Sequence, residues 1–303
     1  MRHLICITGG TGFIGRHLID RLRQENQDAV RVLTREPRVH EGVIFARGDL
    51  LDRQSLRTFV EPGSVVVHLA YASGMDNVTA ARNTAEVAVE RGASKLIHVS
   101  TAVVVGRSRA VSIDESTPCS PVTVYQQEKL MIEEVLQESL KGRVPLTILR
   151  PTAVFGAGGR NLLTLASHLS SGSRAGIALR MMIMGRREMN LVAVENVVEA
   201  VVRSMSASSE GPFIVSDDHA ANDYGHVARL LMEGLNMNPP RPAVDLSVIL
   251  PPLLRMARRE LSNPYTRFSA ARIRATGYQP VVDFDSAVRQ FGSWYRRNSS
   301  QST

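Results

Sequence analysis

The sequence predicts an α/β protein: a doubly wound parallel sheet with a smaller C-terminal region against it. Short β-rich runs alternate with helix-like runs through the first half, which is the pattern of a parallel sheet covered on both faces. A glycine-rich turn stands at the first strand-to-helix junction, Gly9-Gly10-Thr11-Gly12-Phe13-Ile14-Gly15. The chain is 303 residues long with 44% hydrophobic and 21% charged residues, enough to bury a large core without disulfides or metal.

The expected strands are His3 to Ile7, Val30 to Leu33, Val43 to Ala46, Val65 to Ala70, Leu96 to Ser100 and Leu146 to Leu149. Between them lie expected helices at Phe13 to Gln24, Arg53 to Phe59, Val78 to Arg91 and Val124 to Leu140. In the first helix Ile14, Leu18, Ile19 and Leu22 recur at three- and four-residue spacing and so share one face against the sheet. Residues 1–150 are thus read as a nucleotide-binding unit. Residues 151–303 are read as a substrate-binding region of mixed segments, some of which return to the first unit. Helices are readable there at Val194 to Met205, Asp223 to Leu235 and Asp285 to Arg296, while the Gly/Ser-rich stretch 170–176 and the Met-rich stretch 181–189 break the rhythm.

Composition excludes several classes. Cys6 and Cys119 are too few for a disulfide framework or a zinc cage, so no metal site is expected. No apolar run reaches about 18 residues and the start lacks a secretory pattern, which gives a cytoplasmic expectation without a membrane span. The segment Val248 to Arg259 has basic and apolar residues, but Pro251 and Pro252 shorten any helix, and local packing is the better reading. The net charge is +7, yet only Lys95, Lys129 and Lys141 are lysines and no basic block occurs. Nucleic acid is therefore not an expected partner.

Glycine is needed where backbone turns tightly against a pyrophosphate, and the helix that follows offers free N–H groups and a partial positive charge. Gly9, Gly12 and Gly15, with Phe13 and Ile14, predict a dinucleotide site on a Rossmann sheet. At the end of the second strand an acidic residue suits a free ribose 2′-hydroxyl and an arginine suits a 2′-phosphate. Arg35 stands there and Arg16 is placed to join it, which favours NADP(H) and leaves NAD(H) open. Asp49, after the third strand, is read either as an acceptor for the adenine amino group or as a helix cap before Arg53.

Tyr125 and Lys129 lie four apart in a helical stretch and so share a face. An ammonium beside a phenol favours phenolate, which suits the tyrosine to proton transfer near neutral pH. A third group, Ser100 or Thr101, ends the preceding strand, where ligands of open α/β sheets gather.

These motifs, with Gly48-Asp49-Leu50, His68-Leu69-Ala70, Asn83, HVST at 98–101 and LRPTAVFGAG at 149–158, resemble the extended branch of the short-chain dehydrogenase/reductase superfamily, the NAD-dependent epimerase/dehydratase-like proteins. The resemblance covers nearly the whole chain. It implies that Thr101, Tyr125 and Lys129 are catalytic, with Asn83 ordering a relay water. It adds Asp49, Leu50, Leu69, Ala70 and Pro151 to the cofactor site and Asn161 to the substrate site, beside Ser100. Arg186 and Arg187 stand near the place where relatives hold a substrate diphosphate. The resemblance further implies a homodimer and a nucleotide-sugar substrate, reduced or epimerised at C4 for cell-envelope polysaccharide synthesis. Two other readings stand beside it: a reductase of an apolar ketone or 3β-hydroxysteroid-like compound, and a non-catalytic NADP(H)-binding sensor.

Overall fold

The structure is a computed structural model that describes residues 4–25, 29–36, 42–71, 74–206, 208–218, 221–240, 246 and 263–299. The segment 248–259 lies outside the described residues, as do His3 and residues 300–303.

Seven parallel strands form the central sheet: β1 (Leu4–Thr8), β2 (Ala29–Thr34), β3 (Val43–Arg47), β4 (Val65–His68), β5 (Lys95–Val99), β7 (Leu146–Pro151) and β10 (Gly211–Val215). Their order is β10-β7-β5-β4-β1-β2-β3. The chain thus winds outward from β1 in one direction through β3, then restarts beside β1 at β4 and winds the other way. That reversal opens a crevice at the carboxyl ends of β1 and β4. Strand β4 is shorter than its apolar run suggests. After His68, the Leu69 N–H still bonds the Thr8 carbonyl at 3.0 Å, but Ala70 turns against Gly9, where a Cβ would stand 2.5 Å from the Ala70 nitrogen.

Helices α1 (Phe13–Gln24), α2 (Arg53–Phe59), α3 (Asp76–Glu90) and α4 (Val124–Leu140) connect these strands. Leu18, Ile19 and Leu22 of α1 are buried on one face, as their spacing requires. The start of α2 is capped by Asp52, whose side chain accepts from the Gln54 N–H. Asp49 instead braces the preceding turn by accepting from the Leu51 N–H at 2.9 Å, which corrects its reading as the helix cap.

The second half is more regular than its composition implies. Short strands β8 (Ala153–Phe155) and β9 (Leu191–Ala193) pair with each other, and β6 (Ser112–Ile113) pairs with β11 (Arg267–Phe268). Helices α5 (Leu163–Ser171) and α6 (Arg174–Met184) occupy the stretches expected to be irregular. Ser173 caps α6 by accepting from the Gly176 N–H, so the Gly/Ser-rich stretch is a helix boundary. Met181 is buried and Met184 and Met189 pack on the same cluster, so three of the methionines fill a core. Helices α7 (Val194–Ser206), α8 (Tyr224–Gly234), α9 (Ala271–Arg274) and α10 (Phe284–Ser299) follow. Strand β10 and helix α7 return to the first unit, where Val194, Val197, Val201, Phe213 and Val215 share a cluster with Ile5, Leu18 and Ile97. A separate cluster of α5, α6, α8 and α10 holds the C-terminal region together around Phe155, Leu231 and Phe291.

Candidate active site

The glycine turn is built for close approach. Gly9 has φ +72°, and a Cβ at Gly15 would lie 2.4 Å from the Gly9 carbonyl oxygen, so both positions exclude other residues. Gly12 is the N-cap of α1 and supplies no side-chain cap, which leaves N–H groups of the first turn directed at the crevice. Phe13 and His17 meet the loop after β8: the Phe13 ring faces Gly156 and Gly159, and the His17 ring nitrogen bonds the Ala157 carbonyl at 3.1 Å. Arg16 reaches toward Gly158 in that same loop. Arg35 is exposed at the end of β2. Ile14 packs into the core under the turn. Leu69 and Ala70 line its other side, and Pro151 ends β7 buried. Asn83 is buried and donates to the carbonyls of Leu50 (3.0 Å) and Leu51 (3.4 Å), so it fixes the Asp49-Leu50 loop from α3. The cradle of glycine backbone and open helix N–H groups fits a dinucleotide pyrophosphate.

Helix α4 begins with a capping box in which Thr123 and Gln126 bond each other's backbone N–H groups. That fixes the first turn, on which Tyr125 stands, half exposed. Its hydroxyl faces Thr101, which follows β5 and caps the short 3-10 turn Ala102–Val105. Burial raises the Tyr125 phenol above its ordinary value, and Thr101 opposes that rise. Among the groups around the phenol, Thr101 is the one that favours phenolate in this structure.

One turn on, Lys129 is buried, and desolvation pushes it down to about 8, against the raising influence of Glu133 and Glu128. The ammonium lies 4.7 Å from the centre of the Tyr71 ring. Below it runs a polar row in strand register. Thr8 Oγ1 and His68 Nδ1 are 2.8 Å apart, and His98 Nδ1 donates to the His68 carbonyl at 3.2 Å. Burial holds both imidazoles neutral, His68 at about 3. His98 Nε2 and Ser100 Oγ, two residues apart on β5 and its continuation, are buried without hydrogen-bond partners among the described residues. Ser100 and Thr101 are both buried, and Thr101 is the hydroxyl that faces Tyr125.

The outer residues divide. Asn161 is exposed, and its side-chain amide donates to the Val154 carbonyl at 2.7 Å, closing the loop that carries Gly156 to Gly159. Arg186 and Arg187 are exposed on the turn after α6. Tyr71 and Glu128 join the site although sequence reasoning did not single them out. Their signals are an aromatic residue three places past the last residue of β4 and an acid beside the lysine.

The model of the NAD dependent epimerase/dehydratase family matches residues 5–215. UDP-glucose 4-epimerase of Streptococcus mutans is 33% identical over 155 residues, which are 45% of this chain and 46% of that enzyme, so the match spans under half of the relative. Sterol-4-alpha-carboxylate 3-dehydrogenase, decarboxylating, of Mus musculus is 24% identical over 94% of this chain and 88% of that enzyme. The crystal structure of Thermus thermophilus UDP-glucose 4-epimerase with NAD superposes with TM-score 0.70 at 22% identity, covering 97% of this chain and 99% of that one. That likeness is one of fold. With a family model spanning the glycine turn, Thr101, Tyr125 and Lys129, the chain is an NAD(P)-dependent enzyme that belongs to the NAD dependent epimerase/dehydratase family.

Proposed function

We propose that the enzyme prefers NADP(H) and acts at C4 of a nucleotide-diphosphate sugar, by keto reduction or epimerisation, in cell-envelope polysaccharide synthesis. The observation that carries this reading is the Tyr125 hydroxyl facing Thr101, one helical turn from the Lys129 ammonium, at the carboxyl edge of the sheet beside the glycine turn. A bound nicotinamide supplies or accepts the hydride. Tyr125 exchanges the hydroxyl proton with the sugar oxygen, Thr101 donates to that oxygen as charge develops on it, and Lys129 holds the cofactor ribose. Asn83 acts as a positioning residue for the loop at Asp49. Arg35 supplies the charge for a 2′-phosphate. Helix α4, which carries Tyr125, contributes to the face of a homodimer.

Relatives named UDP-glucose 4-epimerase and dTDP-6-deoxy-L-talose 4-dehydrogenase (NAD(P)(+)) support the sugar. The exposed pair Arg186 and Arg187 suits a diphosphate, while Asn161 shapes the loop beside it. The sterol dehydrogenase relative, matched over nearly the whole chain, favours a second reading in which the substrate is an apolar ketone or 3β-hydroxysteroid-like compound. Free UDP and dTDP separate the two. Under the sugar reading they inhibit, and Arg186→Ala with Arg187→Ala raises KM for the nucleotide sugar roughly tenfold to a hundredfold while leaving NADPH affinity alone, since a lost charge-assisted contact costs about 1.5 to 3 kcal/mol. Absence of inhibition at millimolar nucleotide selects the ketone.

A further inference from the structure

Among the described residues, Tyr71 is the aromatic ring that touches both working side chains of α4. Its ring centre lies 4.7 Å from the Lys129 ammonium, and its edge meets the Tyr125 ring with centroids 5.6 Å apart at 73°. Its hydroxyl donates to the Glu128 carboxylate at 2.9 Å. Glu128 adjoins Lys129 in sequence, yet successive helical residues point about 100° apart, so the acid binds the phenol while the ammonium faces the ring. Three contacts therefore hold one half-exposed side chain in one place.

We propose that Tyr71 is a positioning residue for Lys129: the π face keeps the buried ammonium charged and aimed into the crevice, and Glu128 clamps the ring over it. The inference rests on the reading that Lys129 works beside Tyr125. A buried lysine pays for desolvation unless something replaces water around its charge. The aromatic face, negative at its centre, does so without taking the hydrogen-bond donors that a ribose needs. The other charged or titratable groups around Lys129 are Glu128 and Glu133 on its own helix, Tyr125 one turn back, His68 on β4 and His98 on β5. Both histidines are neutral, so the two acids and the ring are what favour the cation.

The chain has three lysines, which makes a direct measurement simple. Protein labelled with 13C-lysine is titrated between pH 6 and 11, and the Lys129 resonance is assigned by its loss in Lys129→Met. Tyr71→Met keeps apolar bulk and removes the π face, and it lowers the Lys129 midpoint by about half a unit to one unit. Tyr71→Phe keeps the face but releases the Glu128 clamp, and its midpoint falls by less than half of the Tyr71→Met shift. Unchanged Lys95 and Lys141 midpoints report an intact fold. In turnover the alkaline limb of kcat moves down with the midpoint in Tyr71→Met and moves less in Tyr71→Phe. A Tyr71→Met midpoint equal to or above wild type overturns the proposal. Retained turnover in Tyr125→Phe overturns the underlying catalytic reading instead, and leaves the titration result standing.

Discussion

Lys129 is buried where a cation costs stability, and the pH dependence has a definite sign. Its folded-state value of about 8 lies below the 10.5 of a free lysine. Between those two pH values the unfolded chain binds more protons than the folded one, so the stability attributable to this residue rises as pH climbs from about 8 to 10.5. Below pH 8 the full penalty is present, about 3 kcal/mol at about 1.36 kcal/mol per unit. Lys129→Met is therefore expected to be more stable than wild type in urea at pH 7, by about 1 to 3 kcal/mol, with the difference shrinking toward pH 10 and turnover lost at both. Equilibrium unfolding at the two pH values checks it; a variant weaker than wild type at pH 7 would refute the assignment. Arg35 raises a separate question at the same scale. It is exposed at the end of β2 beside Glu36. Replacement by Asp puts a carboxylate where the 2′-phosphate would lie, and should weaken NADPH roughly tenfold to a hundredfold while NADH changes little. Fluorescence titration of both cofactors decides it.

Helix α4 aligns Tyr125, Lys129 and Glu133 at four-residue intervals, and the last of these anchors the other two. Glu133 receives two parallel hydrogen bonds from Arg150 on β7, at 3.1 and 2.6 Å, with both side chains almost wholly buried. Removing one partner of such a pair strands a buried charge. Glu133→Ala should cost about 3 to 5 kcal/mol of unfolding free energy and displace Lys129, measurable as a lowered urea midpoint together with weaker cofactor binding. A loss under about 1 kcal/mol would show that the pair does not anchor α4. The sequence made α4 legible to the residue, because Thr123 caps it and its apolar positions keep helical period. The glycine turn and the Tyr125-Lys129 pair were legible for the same reason: local spacing decides them. Tyr71 was not, because the chain carries it to Lys129 only when β4 and β5 pair and α4 packs across them. Strand β10 was missed too. Its five residues, GPFIV, follow helix α7 and become a strand by pairing parallel with β7.

Across the whole molecule the winding reversal between β1 and β4 gathers the glycine turn, the Leu69-Ala70 bend, Thr101 and the start of α4 at one edge of the sheet. Elements from the second half close this edge from outside: the loop after β8 seats on Phe13, His17 and Arg16, and Glu188 pairs with Arg267 beside the exposed Arg186-Arg187 turn. Under the proposed function, inner residues serve the cofactor and proton transfer, and outer residues substrate choice. The central claim is that Tyr125 moves the proton. Turnover of Tyr125→Phe on the sugar nucleotide that wild type converts, measured with cofactor affinity in the same preparation, tests it most directly. The account predicts a fall of at least about a hundredfold in kcat with cofactor affinity within about threefold of wild type. A Tyr125→Phe enzyme that keeps kcat within about tenfold of wild type would contradict it.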